Sequence, residues 1–198
     1  VRALIKTGKE KGVIGMTEVP DGWEKWLLDL VAIATIADMV PLVGENRALA
    51  YWGLIVLRKS PRLGLKALFG LQRTRQDSFT EDDVAFSLAP RINAASRMDE
   101  PEKAFKLLTT HDAQEAELLA RYLEELNMSR KGAVGSIVKE ARKRVAERFE
   151  EGGRVIVLGD PAWKPALLGL AANSIVEDRG GMVCIWGRDA NGKLKGSC

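Results

Sequence analysis

The 198-residue chain is 46% hydrophobic and carries 30 basic against 27 acidic side chains, a net charge of +3. This composition suits one large or two small domains and argues against disorder along the whole chain, while the charge only weakly favours a nucleic-acid partner. One histidine and two cysteines make no disulfide framework and argue against a zinc site built from this chain alone. Any metal here must be held by oxygen ligands or share ligands from elsewhere, and a reduced cytoplasm is the expected compartment. The most apolar stretch, 27–43, is short for a bilayer and contains Asp29 and Asp38, so no membrane partner is expected. The chain opens on Val1 with no secretory signal, which points to a piece of a longer protein.

Pro20-Asp21-Gly22 is a turn signal, and a helix is predicted over 22–39, ending before Pro41, with Trp23 and Trp26 on one core face. A second helix is predicted over 45–57 with Leu49, Trp52 and Val56 as its apolar stripe, and a short third over 63–71. Thr80, ahead of Asp82-Asp83, caps a fourth over 81–88 that Pro90 closes, and Pro101 opens a fifth over 101–108. Asp112 caps the longest, 113–149, in which leucines and valines recur at helical spacing. At about 1.5 Å per residue it spans roughly 50 Å, too long for one small domain, so it is expected to join two. Gly132 and Gly135 weaken it locally. After Glu150-Glu151-Gly152-Gly153 the pattern changes to a buried strand (154–158), a helix (165–178), a second strand (181–186), a turn (187–192) and the start of a third strand near Lys195. Strand, helix and strand in so short a span make a βαβ unit and imply a parallel sheet.

Four places carry possible chemistry. Asp38 closes the run Thr35-Ile-Ala-Asp38-Met-Val-Pro-Leu42. A carboxylate at the end of an apolar helix opposes the macrodipole, so it is either offset by a bound cation or is a capping carboxylate that reaches water. Both readings stand on the residues alone. Ala89-Pro-Arg91-Ile-Asn93-Ala-Ala-Ser96-Arg97 sets two guanidinium forks among small residues, a pattern suited to phosphate oxygens or to an ordinary exposed loop. Lys195-Gly196-Ser197 offers free amides beside lysines, as an anion site or a solvent turn. Lys164, in Trp163-Lys164-Pro165, stands where a helix begins after a strand, a common phosphate position. His111 has no second histidine or cysteine nearby and reads as a surface or capping residue.

Together these pieces resemble the RecJ-type exonucleases of the DHH phosphoesterase superfamily. The segment 28–42 is similar to the last metal-binding motif of that family's catalytic domain, and 89–97 to its Pro-Arg-Leu-Asn-Ala-Ala-Gly-Arg loop, with Ser96 in place of the usual glycine. The long helix resembles the connector between its two core domains, and 160–172 with 195–197 the start of its DHH-associated domain. Lys164 departs from the family's Trp-His-x-Gly-Val-Ile-Gly pattern, which removes a histidine there.

The resemblance implies an α/β fold. Residues 1–111 would be the mostly helical C-terminal part of a DHH catalytic domain, 112–150 a connecting helix, and 151–198 the start of a βαβ substrate-binding domain. It implies a metal-dependent 5′→3′ exonuclease of single-stranded DNA in repair and recombination, with Asp38 as a catalytic ligand of Mn2+ or Mg2+. Arg91, Asn93, Arg97, Lys164 and Ser197 would contact substrate. The Asp-His-His motif and earlier metal-binding aspartates of the family lie outside these residues, so the chain alone is expected to be inactive. The alternatives are a DHH phosphoesterase of short oligonucleotides or cyclic dinucleotides, which are typically shorter and lack the connector, and a non-catalytic DHH scaffold. Protein partners are not readable from the sequence.

Overall fold

The computed structural model describes residues 1–148 and 155–198. Phe149 at the predicted end of the long helix, the Glu-Glu-Gly-Gly run and Arg154 at the predicted strand start lie outside the described residues. The chain is mostly helical with one small sheet, and it divides into two compact units. The first comprises Val1–Ile92 with Phe105–Arg121, the second Asn93–Ala104 with Tyr122–Cys198.

In the first unit, α1 (Arg2–Glu10) precedes a 3-10 turn over Trp23–Leu27 and then α2 (Leu28–Ala37), so the predicted 22–39 helix is split. The first turn is 3-10 and leaves Trp23 and Trp26 about half exposed, not in the core. α3 (Gly44–Leu57) also turns its expected stripe outward: Leu49 and Trp52 are exposed, and the buried face is Ala50, Gly53 and Leu57. The cause is close packing. A Cβ on Gly53 would stand 2.4 Å from the Leu28 carbonyl oxygen and 2.5 Å from the Ala32 Cβ, so α2 approaches α3 only along its small-residue side. α4 (Leu63–Gln72) adds Leu65, Leu68 and Phe69 to the core, where the Phe69 ring meets Phe79 at 4.5 Å.

Thr80 does cap the next helix. Its backbone N–H donates to Asp83 Oδ2 at 2.9 Å, and the Asp83 N–H donates back to Thr80 Oγ1 at 3.3 Å. The helix does not stop at Pro90. It passes through a π-helical stretch over Asp83–Leu88 directly into α5 (Ala89–Arg97), so the predicted loop 89–97 is helical. The wider π turn accommodates a proline that has no N–H to give to the preceding turn. α6 (Pro101–Thr109) and α7 (Ala113–Arg148) follow, with Asp112 Oδ1 accepting the Glu115 N–H at 2.9 Å as the expected cap. α7 runs unbroken through Gly132 and Gly135.

In the second unit, β1 (Val155–Gly159) pairs in parallel with β2 (Met182–Arg188), and β3 (Leu194–Ser197) pairs antiparallel with β2. The helix between the parallel strands is α8 (Pro165–Arg179), as the βαβ pattern requires. Its core joins Ile137, Ala141 and Val145 of α7 to Leu168, Ala171 and Ile175 of α8 and to Ile156, Leu158, Val183 and Ile185 of the sheet. β1 is not buried on both faces: Val155 and Val157 are exposed while Ile156 and Leu158 are covered, because the helices pack on one side of the strand.

The Arg144 guanidinium binds α7 to the strand–helix turn. It donates to Asp160 Oδ2 at 2.7 Å and to the Gly159 carbonyl at 3.0 Å, pairs with Glu140, and lies 5.1 Å from the Trp163 ring centre. The hydrogen bond from Arg144, helped by the Ala162 N–H, holds the Asp160 carboxyl below the usual carboxylate range. A depressed folded value means the contribution is fully present above the ordinary carboxylate pKa of about 4 and is lost as pH falls through the folded value. Arg144→Gln is therefore expected to move the acid unfolding transition, followed by circular dichroism, to higher pH. An unmoved transition would remove the pair from the account.

Candidate functional site

Asp38 is the residue that ends α2. Its N–H bonds the Ala34 carbonyl at 3.0 Å, Met39 takes a left-handed backbone (φ 53), and the Val40 N–H returns to the Thr35 carbonyl at 3.3 Å. This closes the helix as a Schellman-type turn without glycine, with the Asp38 side chain left in solvent. The carboxylate makes no hydrogen bond or ion pair among the described residues. It is an exposed helix-end carboxylate that caps no neighbouring backbone among the described residues. Met39 and Val43 beside it are also exposed.

The buried carboxylate of this segment is Asp29, 1% exposed. Its Oδ2 accepts from Ser60 Oγ at 2.7 Å and from Arg62 Nε at 2.9 Å, and its Oδ1 accepts the Leu30 N–H at 2.7 Å. Arg62 also donates to the Leu108 carbonyl at 3.2 Å. Asp29 is thus a buried structural anion, held by three donors and paired with Arg62. A helical wheel carries the signal, since Asp29 shares the buried face of Ala32, Ile33 and Ile36.

Helicity changes what the 89–97 arginines can do. Asn93 and Arg97 are four apart and lie on one face, whereas Arg91 is six before Arg97 and points elsewhere. Arg91 Nη1 donates to the Ser87 carbonyl at 2.6 Å, within the π-helical stretch. In the second unit, Arg97, Lys164 and Ser197 gather around the first turns of α8. Arg97 Nη1 donates to the Ala166 carbonyl at 2.7 Å, and Lys164 pairs with Asp99 at 2.7 Å. A Cβ on Gly169 would lie 3.2 Å from Ser197 Oγ, so the glycine lets the end of β3 sit close to the helix. Asn93 and Ser197 are half-buried. Asp38 and Arg91 belong to the first unit, and Asn93, Arg97, Lys164 and Ser197 to the second.

Farther along α7, Arg130, Lys131, Lys139 and Arg142 line a groove of about 560 Å³, with Arg142 paired to Asp178. Periodicity alone reads these cations as a solvated face. Their grouping along a groove comes from α8, whose Leu170 and Ser174 form the other wall.

An exposed carboxylate is a hard oxygen ligand suited to Mg2+ or Mn2+, so Asp38 fits as one ligand. Among the described residues no group of three histidine, cysteine, aspartate or glutamate side chains stands ready to hold an ion. No described helix is long and apolar enough to cross a membrane.

Over 160 residues the chain is 40% identical to the single-stranded-DNA-specific exonuclease RecJ of Bacillus subtilis, covering 81% of this chain and 20% of that protein. It is 38% identical over 175 residues to the RecJ of Haemophilus influenzae, covering 86% of this chain and 30% of that protein. Among solved structures, it matches RecJ from Thermus thermophilus in complex with Mg2+ at a TM-score of 0.76 and 34% identity, over 93% of this chain and 27% of that one. An exonuclease RecJ bound to manganese matches at 0.69 and 34% identity, over 86% and 42%. No family model matches. The chain thus spans 20% to 30% of the length of these two curated relatives.

Proposed function

Because this chain belongs to the RecJ family over most of its length, we propose that it is a segment of a metal-dependent 5′→3′ exonuclease of single-stranded DNA. The observation that carries the reading is the solvent-facing carboxylate of Asp38 at a helix end, with no protein partner among the described residues. The macrodipole disfavours an anion there, and a divalent cation would offset that. Asp38 would be one ligand of Mn2+ or Mg2+, and the other ligands would come from the rest of the longer protein. When bound, two such ions supply an activated water and neutralise charge on the scissile phosphate.

In the same reading 1–111 is the end of the catalytic domain, 112–150 the connector and 151–198 the start of the substrate-binding domain. Arg97, Lys164 and Arg91 bind backbone phosphates electrostatically, and Asn93 and Ser197 by hydrogen bonds. Lys164 would exchange its pairing with the exposed Asp99 for a phosphate. Binding should weaken steeply with salt. The 198-residue chain alone should not hydrolyse DNA. A cytoplasmic protein of DNA repair and recombination is the setting proposed for it.

The test is cleavage by a full-length protein containing this segment, with Mn2+, of a long 5′-phosphorylated single strand, its duplex and a dinucleotide. Rapid loss of the single strand from its 5′ end, with duplex and dinucleotide spared, is the expected result. Preference for the dinucleotide would overturn it.

A further inference from the structure

Deep in the second unit, two hydrogen-bond donors on consecutive turns of α7 lack acceptors. Asn127 is 1% exposed. Its Oδ1 accepts from Arg130 Nη2 at 3.0 Å, while its Nδ2 and the buried Nε of Arg130 have no partner among the described residues. Native interiors seldom leave such groups unpaired. Both orphans are donors, so the missing piece is an acceptor. The side chains stand three residues apart, one turn of helix, and so face the same way.

The electrostatics has the same sign. Burial, and then the charge of Arg97, push the Arg130 guanidinium below its ordinary pKa. Neither arginine is paired with a carboxylate among the described residues: Arg97 spends Nη1 on the Ala166 carbonyl, and the nearby Asp99 is taken by Lys164. A single water would satisfy a donor and leave two guanidinium charges uncompensated. A tetrahedral oxyanion supplies several acceptor oxygens and the compensating charge together, and guanidinium forks match its geometry. Arg130 also lines the groove it shares with Lys131 and Lys139, which gives an anion a route to it.

We propose that Arg130, Asn127 and Arg97 hold one phosphate group, and that, resting on the function proposed above, it is a backbone phosphate of the single strand. The site extends the substrate contacts from α5 onto the long helix, beyond the residues singled out by the sequence.

Two arms test it on the 198-residue chain without metal. In the first, inorganic phosphate is titrated while the Asn127 side-chain amide and Arg130 Nε–H are followed by NMR. Both resonances should move saturably in the wild-type chain, and the Asn127 amide should stay still in Arg130→Gln. In the second, binding of a single-stranded oligothymidylate is measured across a salt series in EDTA. Arg130→Gln should weaken binding about tenfold and flatten the log–log salt slope by about 0.7, the share of one single-strand phosphate. Asn127→Ala should weaken it about threefold with the slope unchanged, since it removes a hydrogen bond and no charge. Saturable phosphate shifts without oligothymidylate binding would uphold the anion site and overturn its assignment to a DNA strand. Unmoved resonances in the wild-type chain would overturn the site itself, and that measurement decides even where Arg130→Gln fails to fold.

Discussion

Asp38→Ala, placed in a full-length protein containing this segment, is expected to lower Mn2+-dependent cleavage of single-stranded DNA by more than about 100-fold while leaving the fold intact. The size follows from the role. Loss of groups that merely orient metal ligands already costs about 10- to 100-fold, and a direct ligand costs more. The intact fold follows from geometry. The side chain is exposed and holds nothing among the described residues, and the helix end is closed by backbone bonds from Val40 and its neighbours. Removing an anion from a helix C-terminus should even raise metal-free stability by a few tenths of a kcal/mol. The signature is therefore a split: activity collapses while the melting temperature in EDTA holds or rises slightly. Normal turnover in the variant would remove Asp38 from the reaction.

Asp29→Ala should show the opposite split. Its carboxylate is buried against Ser60 and Arg62, so its loss strands a largely buried guanidinium. Breaking one side of such a pair costs about 3–5 kcal/mol. For a chain of this size that corresponds to a drop in melting temperature of roughly 10 °C. The variant should lose stability with or without metal, and cleavage only to the extent that it unfolds. A melting temperature within about 1 °C of wild type would show that the Asp29–Arg62 pair does not hold the first unit together.

These two aspartates mark how far the sequence could be read. They stand nine positions apart in one apolar run. Asp29 is the buried carboxylate, and its partners Ser60 and Arg62 lie 31 and 33 residues away, beyond any local pattern. Most helices, the βαβ unit and the caps at Thr80 and Asp112 were legible, because they rest on periodicity and on hydrogen bonds spanning a few residues. The failures came where packing overrides composition. Gly53 and Ala50 outweigh Leu49 and Trp52 on α3, since the close approach of α2 rewards a missing Cβ over a large apolar side chain. Pro90 ended a helix on paper, yet a π-helical stretch carries the chain past it. That turned a presumed loop into a helix and separated Arg91 from Arg97. Asn127 and Arg130 escaped notice because unsatisfied donors are visible only in three dimensions.

The most direct test of the central claim, that Asp38 is a metal ligand, is the manganese anomalous signal in crystals of a full-length protein containing this segment. The account predicts a peak at bonding distance, about 2.1 Å, from an Asp38 carboxylate oxygen, and its weakening or loss in Asp38→Asn. A fully occupied manganese centre whose ligands do not include Asp38 would contradict it.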